Sequence, residues 1–188
     1  MNIAPDLQDY NRWRDDLTVE GMTNAERVEE MGRRHEAMSG FNTDPNAIIT
    51  KPTSLFVYGT LQRGCGNHRL LEGCFQRVTP ARFLTRARLY DSGFPIMAVD
   101  PANSQAEAVE IVGELYEGVT PEAVSRCDGL EGHPNWYIRA AVPIRALPCG
   151  EAAGRVVPAW TYFMPFKRVH SSEIIPGHDW AAFNRPRR

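Results

Sequence analysis

From Leu55 onward the chain is a succession of short runs rich in β-branched and aromatic residues, punctuated by glycine and proline. Runs of that length suit strands and are too short for most helices, so this texture constrains the fold more than any other feature. Strands are predicted near 54–58, 83–90, 95–99, 108–117, 136–145 and 156–163. In the fourth, Val109, Ile111, Gly113 and Leu115 alternate with Glu110, Val112, Glu114 and Tyr116. Period-two alternation marks a sheet with one buried and one partly wet face. About six strands with few helices predict a small sheet that is strongly curved or closed, because closure removes exposed edges.

The breaks between runs carry their own signals. Thr120-Pro121-Glu122 is a helix start, with threonine as cap and proline in the first turn, where its missing N–H costs nothing. That helix is expected to reach about Asp128 and stop at Gly129, leaving Glu131 just beyond its C-terminus. Pro143 withholds a donor, so its strand is expected to lie at an edge or bulge there. Pro148, Gly150 and Gly154 make 147–155 a hairpin-like connection.

Before the strands, residues 5–40 read as helical and amphipathic. Leu7, Tyr10 and Leu17 recur at helical spacing, and Thr23-Asn24-Ala25-Glu26 has the form of a capping box. The helix after it puts Ala25, Val28, Met31, His35 and Met38 on one narrow stripe, which suits packing on a larger body or another subunit. Residues 5–40 are therefore the candidate surface for a homo-oligomer or partner contact. His35 has no second histidine one turn away and reads as a packed residue rather than a metal ligand. Asn42-Thr43-Asp44-Pro45-Asn46 is a turn-rich linker. The expected organisation is an N-terminal helical extension and linker at 1–50, one domain at 51–182 and a basic tail at 183–188.

Charge and length exclude several function classes. The 188 residues suffice for one domain with a real core. Lys+Arg 21 against Asp+Glu 23 leaves no basic field to recruit nucleic acid. No apolar run approaches bilayer length, and Met1–Asp6 has neither a basic start nor an apolar segment, so neither a membrane span nor a signal peptide is expected. Cys65, Cys74, Cys127 and Cys149 are irregularly spaced without a Cys-x-x-Cys pair, which fits a reduced, cytoplasmic setting and offers no metal site. Cys65 reads as a space-filler.

The stretch Phe56-Val57-Tyr58-Gly59-Thr60-Leu61-Gln62-Arg63-Gly64 combines a buried strand with a tight glycine loop. Glycine leaves the main chain open, so successive N–H groups in such a loop can converge on a carboxylate or an oxyanion. Taken alone, it reads first as a strand followed by an ordinary turn.

Tyr58-Gly59-Thr60-Leu61, with Gly64 and Asn67 following, resembles the opening signature of the γ-glutamylcyclotransferase-like (AIG2-like) family, which includes the γ-glutamylamine cyclotransferases. Cys127-Asp128-Gly129-Leu130-Glu131-Gly132, then Tyr137 and Arg139, is similar to that family's Asp-x-x-Glu-Gly motif and the Tyr-x-Arg strand after it. Phe94-Pro95 and Gly177-x-Asp179-Trp180 are weaker matches. The resemblance spans roughly residues 54–180 and implies an α+β fold, a small β-barrel with attached helices. It also implies a small-molecule γ-glutamyl substrate, closed by its own α-amine to 5-oxoproline with release of an amine, and no metal or cofactor.

Such a reaction needs a proton carrier and donors for a developing negative oxygen, but no protein nucleophile. The motif match assigns the first role to Glu131 and the second to the backbone of Gly59, Thr60 and Leu61, with Asn67 beside them. Tyr58 and Tyr137 are candidates to line the pocket and donate a hydroxyl hydrogen bond. Arg139 is a candidate to orient Glu131 or to hold a carboxylate by a bidentate contact, and Tyr162 is a further residue near the site. His133-Pro134-Asn135-Trp136 departs from the family pattern, either shaping a pocket or packing. The alternative reading is a non-catalytic small-ligand-binding module on the same fold.

Overall fold

The computed structural model describes residues 52–100, 107–147, 154–169 and 173–184. The expected helices of 5–40, the linker, most of the 147–155 connection and residues 185–188 of the basic tail lie outside those residues. Eight strands and two α-helices make up the described part: β1 (Ser54–Val57), β2 (Arg77–Thr85), β3 (Arg88–Asp91), β4 (Pro95–Ala98), β5 (Val109–Glu117), α1 (Pro121–Glu131), β6 (Ile138–Ala146), β7 (Arg155–Phe163), β8 (Glu173–Ile174) and α2 (Trp180–Asn184).

Five strands close into a mixed barrel in the order β1-β5-β2-β6-β7, and β4-β3-β8 form a separate small sheet. The barrel closes where β1 runs parallel to β7, at Leu55 opposite Trp160. The single strand expected at 83–90 is two strands, since the chain leaves the barrel after Thr85 and enters the second sheet at Arg88. The Ala87 N–H donates to Thr85 Oγ1 at 3.1 Å at that corner.

All four residues of β1 are buried. Phe56 packs among Phe83, Ile111, Leu115 and Ile144, whereas Leu55 and Val57 pack among Tyr116, Ala123 and Cys127. A strand covered on both faces needs a continuous apolar run rather than alternation, and 54–57 supplies one. β5 crosses β1 closely: a Cβ at Gly113 would lie 2.3 Å from the Val57 carbonyl oxygen and 2.7 Å from the Phe56 ring. Glycine there is what lets the Phe56 ring occupy its place.

Pro143 stands opposite Pro158 in the β6–β7 ladder. Neither can donate, so they form a pair that exchanges no hydrogen bonds, and each turns its ring nitrogen toward its other neighbour. The β6–β2 pairing covers only Ala81↔Ala146 and Arg82↔Arg145. Pro143 therefore lies within a barrel strand, beyond the end of that short ladder, rather than on a free edge.

α1 begins as its sequence dictates, with Thr120 Oγ1 accepting from the Ala123 N–H at 3.3 Å. Its end corrects the expectation. The helix passes through Gly129 and stops at Gly132, whose φ of 61° is left-handed. The His133 N–H then closes the turn on the Asp128 carbonyl at 2.9 Å. A glycine inside a helix costs only about 1 kcal/mol, whereas the left-handed cap selects glycine strongly. Glu131 consequently occupies the last turn of α1.

Among the described residues no helix is long and apolar enough to cross a membrane.

Candidate active site

A cavity of about 430 Å³ opens between the exit of β1, the end of α1 and the start of β4. Its floor includes the buried rings of Phe56, Tyr58, Tyr137 and Tyr162, and Gly59, Thr60, Leu61 and Asn67 form one wall. Glu131 faces the same space, with Phe94, Leu130 and Trp136 at its more exposed side. Of the residues named for the site from the sequence, all but Arg139 line this cavity.

The wall is a loop held by its own main chain. The Gln62 N–H donates to the Gly59 carbonyl and the Asn67 N–H to the Thr60 carbonyl, each at 3.0 Å, and Asn67 Nδ2 donates to Thr60 Oγ1 at 3.0 Å. Glu114, from β5, anchors the loop's far side by accepting from Arg63 N at 2.8 Å and Arg63 Nε at 2.7 Å. The N–H groups of Gly59, Thr60 and Leu61 have no partner among the described residues. Main-chain donors left open beside a cavity suit an anion. Gly59 is required for packing, since a Cβ would stand 2.4 Å from Pro95 Cγ.

Among the described residues Glu131 is the one titratable carboxyl facing the cavity. Burial makes its charged form costly and pushes its pKa from 4.5 up to about 7. A carboxyl in that range both accepts and returns a proton near neutrality.

Three expectations about neighbouring side chains change. The Tyr58 hydroxyl donates to the Tyr162 carbonyl at 2.7 Å and the Tyr137 hydroxyl to the Pro95 carbonyl at 3.0 Å, so both donor protons serve the fold. Both rings are deeply buried, and burial raises both phenol pKa values, keeping them neutral. Arg139 neither lines the cavity nor pairs with Glu131. Its Nη1 donates to Asp128 Oδ2 at 2.5 Å, and its guanidinium stacks on Trp160, 4.8 Å from the ring centroid. A carboxylate one turn before Glu131 captures it.

Asp128 was legible only as part of a motif, and its use is a tertiary matter. Its second oxygen accepts from the Tyr162 hydroxyl at 2.8 Å, so one carboxylate ties α1 to both β6 and β7. Of the His133–Trp136 turn, Trp136 reaches the cavity whereas His133 packs. Its Nδ1 accepts from the Arg139 N–H at 3.1 Å, and burial lowers its pKa. Leu130 and Pro95 are lining residues that sequence reasoning did not name as such. Leu130 precedes Glu131 in the motif, but nothing in the pattern says that an exposed helix residue faces a cavity.

The comparisons with known proteins agree on the family. The model described as gamma-glutamyl cyclotransferase, AIG2-like, matches residues 55–182. A Methanocaldococcus jannaschii protein that carries the provisional name gamma-glutamylcyclotransferase is 31% identical over 112 residues, 59% of this chain and 83% of its own length. The gamma-glutamylaminecyclotransferase of Rattus norvegicus is 29% identical over 138 residues, 63% of this chain and 89% of its own. Among solved structures, YkqA from Bacillus subtilis superposes with a TM-score of 0.52 at 25% identity, covering 71% of this chain, which spans only 41% of that one. With the family's motifs gathered around one cavity and its model spanning well over half of the sequence, the protein belongs to the gamma-glutamyl cyclotransferase, AIG2-like family.

Proposed function

We propose that this protein is a cyclotransferase that converts a γ-glutamyl amine or γ-glutamyl amino acid to 5-oxoproline and a free amine. The relatives' names point to that class of reaction. The observation that carries it to this chain is the pairing, across one cavity, of a carboxyl with a pKa of about 7 and a loop of open N–H donors.

The chemistry follows from that pairing. The Glu131 carboxylate takes a proton from the substrate's α-ammonium group. The freed α-nitrogen attacks the γ-carbonyl carbon, and the new C–N bond closes a five-membered ring as the π electrons move onto oxygen. The N–H groups of Gly59, Thr60 and Leu61 receive that oxygen or the α-carboxylate. When the intermediate collapses, the γ-amide C–N bond breaks as Glu131 returns its proton to the departing nitrogen, and the second proton of the ring nitrogen passes through the same carboxylate to the freed amine, which leaves as an ammonium ion. No water is consumed, and the carboxylate ends as it began. Holding the amine and carbonyl of one molecule in a folded pose supplies much of the rate.

The test is release of 5-oxoproline from a panel of γ-glutamyl amines. Glu131→Gln keeps the side chain's shape and removes its titration, so turnover should fall about a hundredfold or more with substrate still bound. Substantial residual turnover would remove Glu131 from the mechanism. Binding without any 5-oxoproline from the parent protein would instead make it a ligand-binding module.

A further inference from the structure

We propose that the leaving-group half of this cavity selects an uncharged, apolar amine, aromatic amines above all, and discriminates against γ-glutamyl amino acids. This rests on the ring-closing reading above and specifies which member of the substrate class it takes. The polar groups of the cavity lie together, in the Gly59–Leu61 wall with Asn67, and Glu131 stands opposite them. Of the remaining lining residues the large exposed ones are all apolar: Phe94, Leu130 and Trp136, at 40%, 42% and 54%. Three large, exposed apolar side chains on the lining of the cavity that Glu131 shares define a subsite by their chemistry.

Trp136 is held in place there. Its main-chain N–H donates to the Gly132 carbonyl at 2.9 Å, and the Arg168 guanidinium stacks on its ring, 5.6 Å from the centroid. Gly132, which ends α1, sits close beneath it, so that a Cβ would lie 3.1 Å from Trp136 Cβ. The turn that terminates the catalytic helix therefore also positions the ring.

Charge argues in the same direction. Among the described residues Glu131 is the only charged one in the lining, and the nearest cation to the subsite rings, Arg168, stacks on Trp136 without lining the cavity. A γ-glutamyl amino acid carries a second carboxylate on its leaving group. With the open N–H donors engaged by the glutamyl part, that carboxylate would lose water beside a carboxyl of the same sign. An aromatic amine brings no charge and covers the exposed rings of Phe94 and Trp136.

Turnover of γ-glutamylbenzylamine, γ-glutamylethylamine and γ-glutamylglycine by the full chain tests the proposal through 5-oxoproline release. The expected order in kcat/KM is benzyl, ethyl, glycine, with at least about tenfold between first and last. Trp136→Ala should bring the benzyl-to-glycine ratio toward one. Leu130→Lys, which adds a cation at an exposed helix position, should shift the ratio toward glycine. Equal or better turnover of γ-glutamylglycine by the parent protein would overturn the proposal and point to Arg168 as a carboxylate partner. Calorimetric binding of the same three compounds to Glu131→Gln reads the subsite without chemistry. A benzyl preference in binding with no 5-oxoproline from the parent would defeat the ring-closing reading and leave the apolar subsite standing. Absence of any preference in binding or turnover would defeat the subsite.

Discussion

Burial of Glu131 has a thermodynamic consequence that needs no substrate to observe. In the unfolded chain its carboxyl titrates near the ordinary 4.5, and in the folded protein burial lifts it to about 7. Between those values the native state holds a proton that the unfolded chain has released, so stability falls as pH rises through that window. Below about pH 4.5 the group is neutral in both states and opposes nothing; above about 7 it is charged in both, and the full cost of burying the charge is present. The gap between about 7 and 4.5 is about 2.5, which at about 1.4 kcal/mol for each factor of ten in proton affinity sets that cost near 3 kcal/mol. Glu131→Gln copies the neutral acid and does not ionise. The variant should match the parent near pH 4.5 and exceed its stability by up to about 3 kcal/mol near pH 8, a large share of a total of about 5–15 kcal/mol. Urea melts of both proteins across that range, compared at equal slope, give the difference directly. A difference that stays constant with pH, or widens toward acid, would refute burial as the source of the raised pKa.

Other expected outcomes follow from individual contacts. Gly59→Val drives a Cβ into Pro95 Cγ, 2.4 Å away, and should abolish 5-oxoproline release. Thr60→Ala loses only the 3.0 Å hydrogen bond from Asn67 and should cost about fivefold in kcat/KM; equal losses in the two variants would argue against main-chain donors. Gly113→Ala places a methyl 2.3 Å from the Val57 carbonyl oxygen, and thermal melts should show about 3 kcal/mol or more of destabilisation, against near-neutrality if the strands simply part. Thr120→Ala removes the cap of α1 and should cost about 1 kcal/mol in a urea melt, recovered by Thr120→Ser.

The strands were legible where local pattern and tertiary role agree. The run at 54–58 and the alternation at 109–116 correspond to β1 and β5, because burial on both faces or on one writes itself directly into residue order. Most of β2 was missed, since the expected strand began only at 83: Arg77-Val78-Thr79-Pro80 carries a proline and a charge, yet Pro80 fits a barrel strand because the β2–β6 ladder begins only at Ala81. The split at Ala87 was invisible because nothing local tells a bend between two sheets from a continuous strand.

By itself the sequence determined four of the five barrel strands, β1, β5, β6 and β7, the start of α1 at Thr120 and the residue types that the proposed proton transfer and anion binding demand. Each of these depends on a residue and its near neighbours, through backbone preference, spacing or the chemistry of a side chain. Only the tertiary structure decided that Arg139 is tied to Asp128 while Glu131 stays unpaired and half-buried, and that Trp136 lines the cavity. Those outcomes turn on which of several nearby groups a charge meets and on how much water folding removes. Residues far apart in the chain set both, and no local pattern records them.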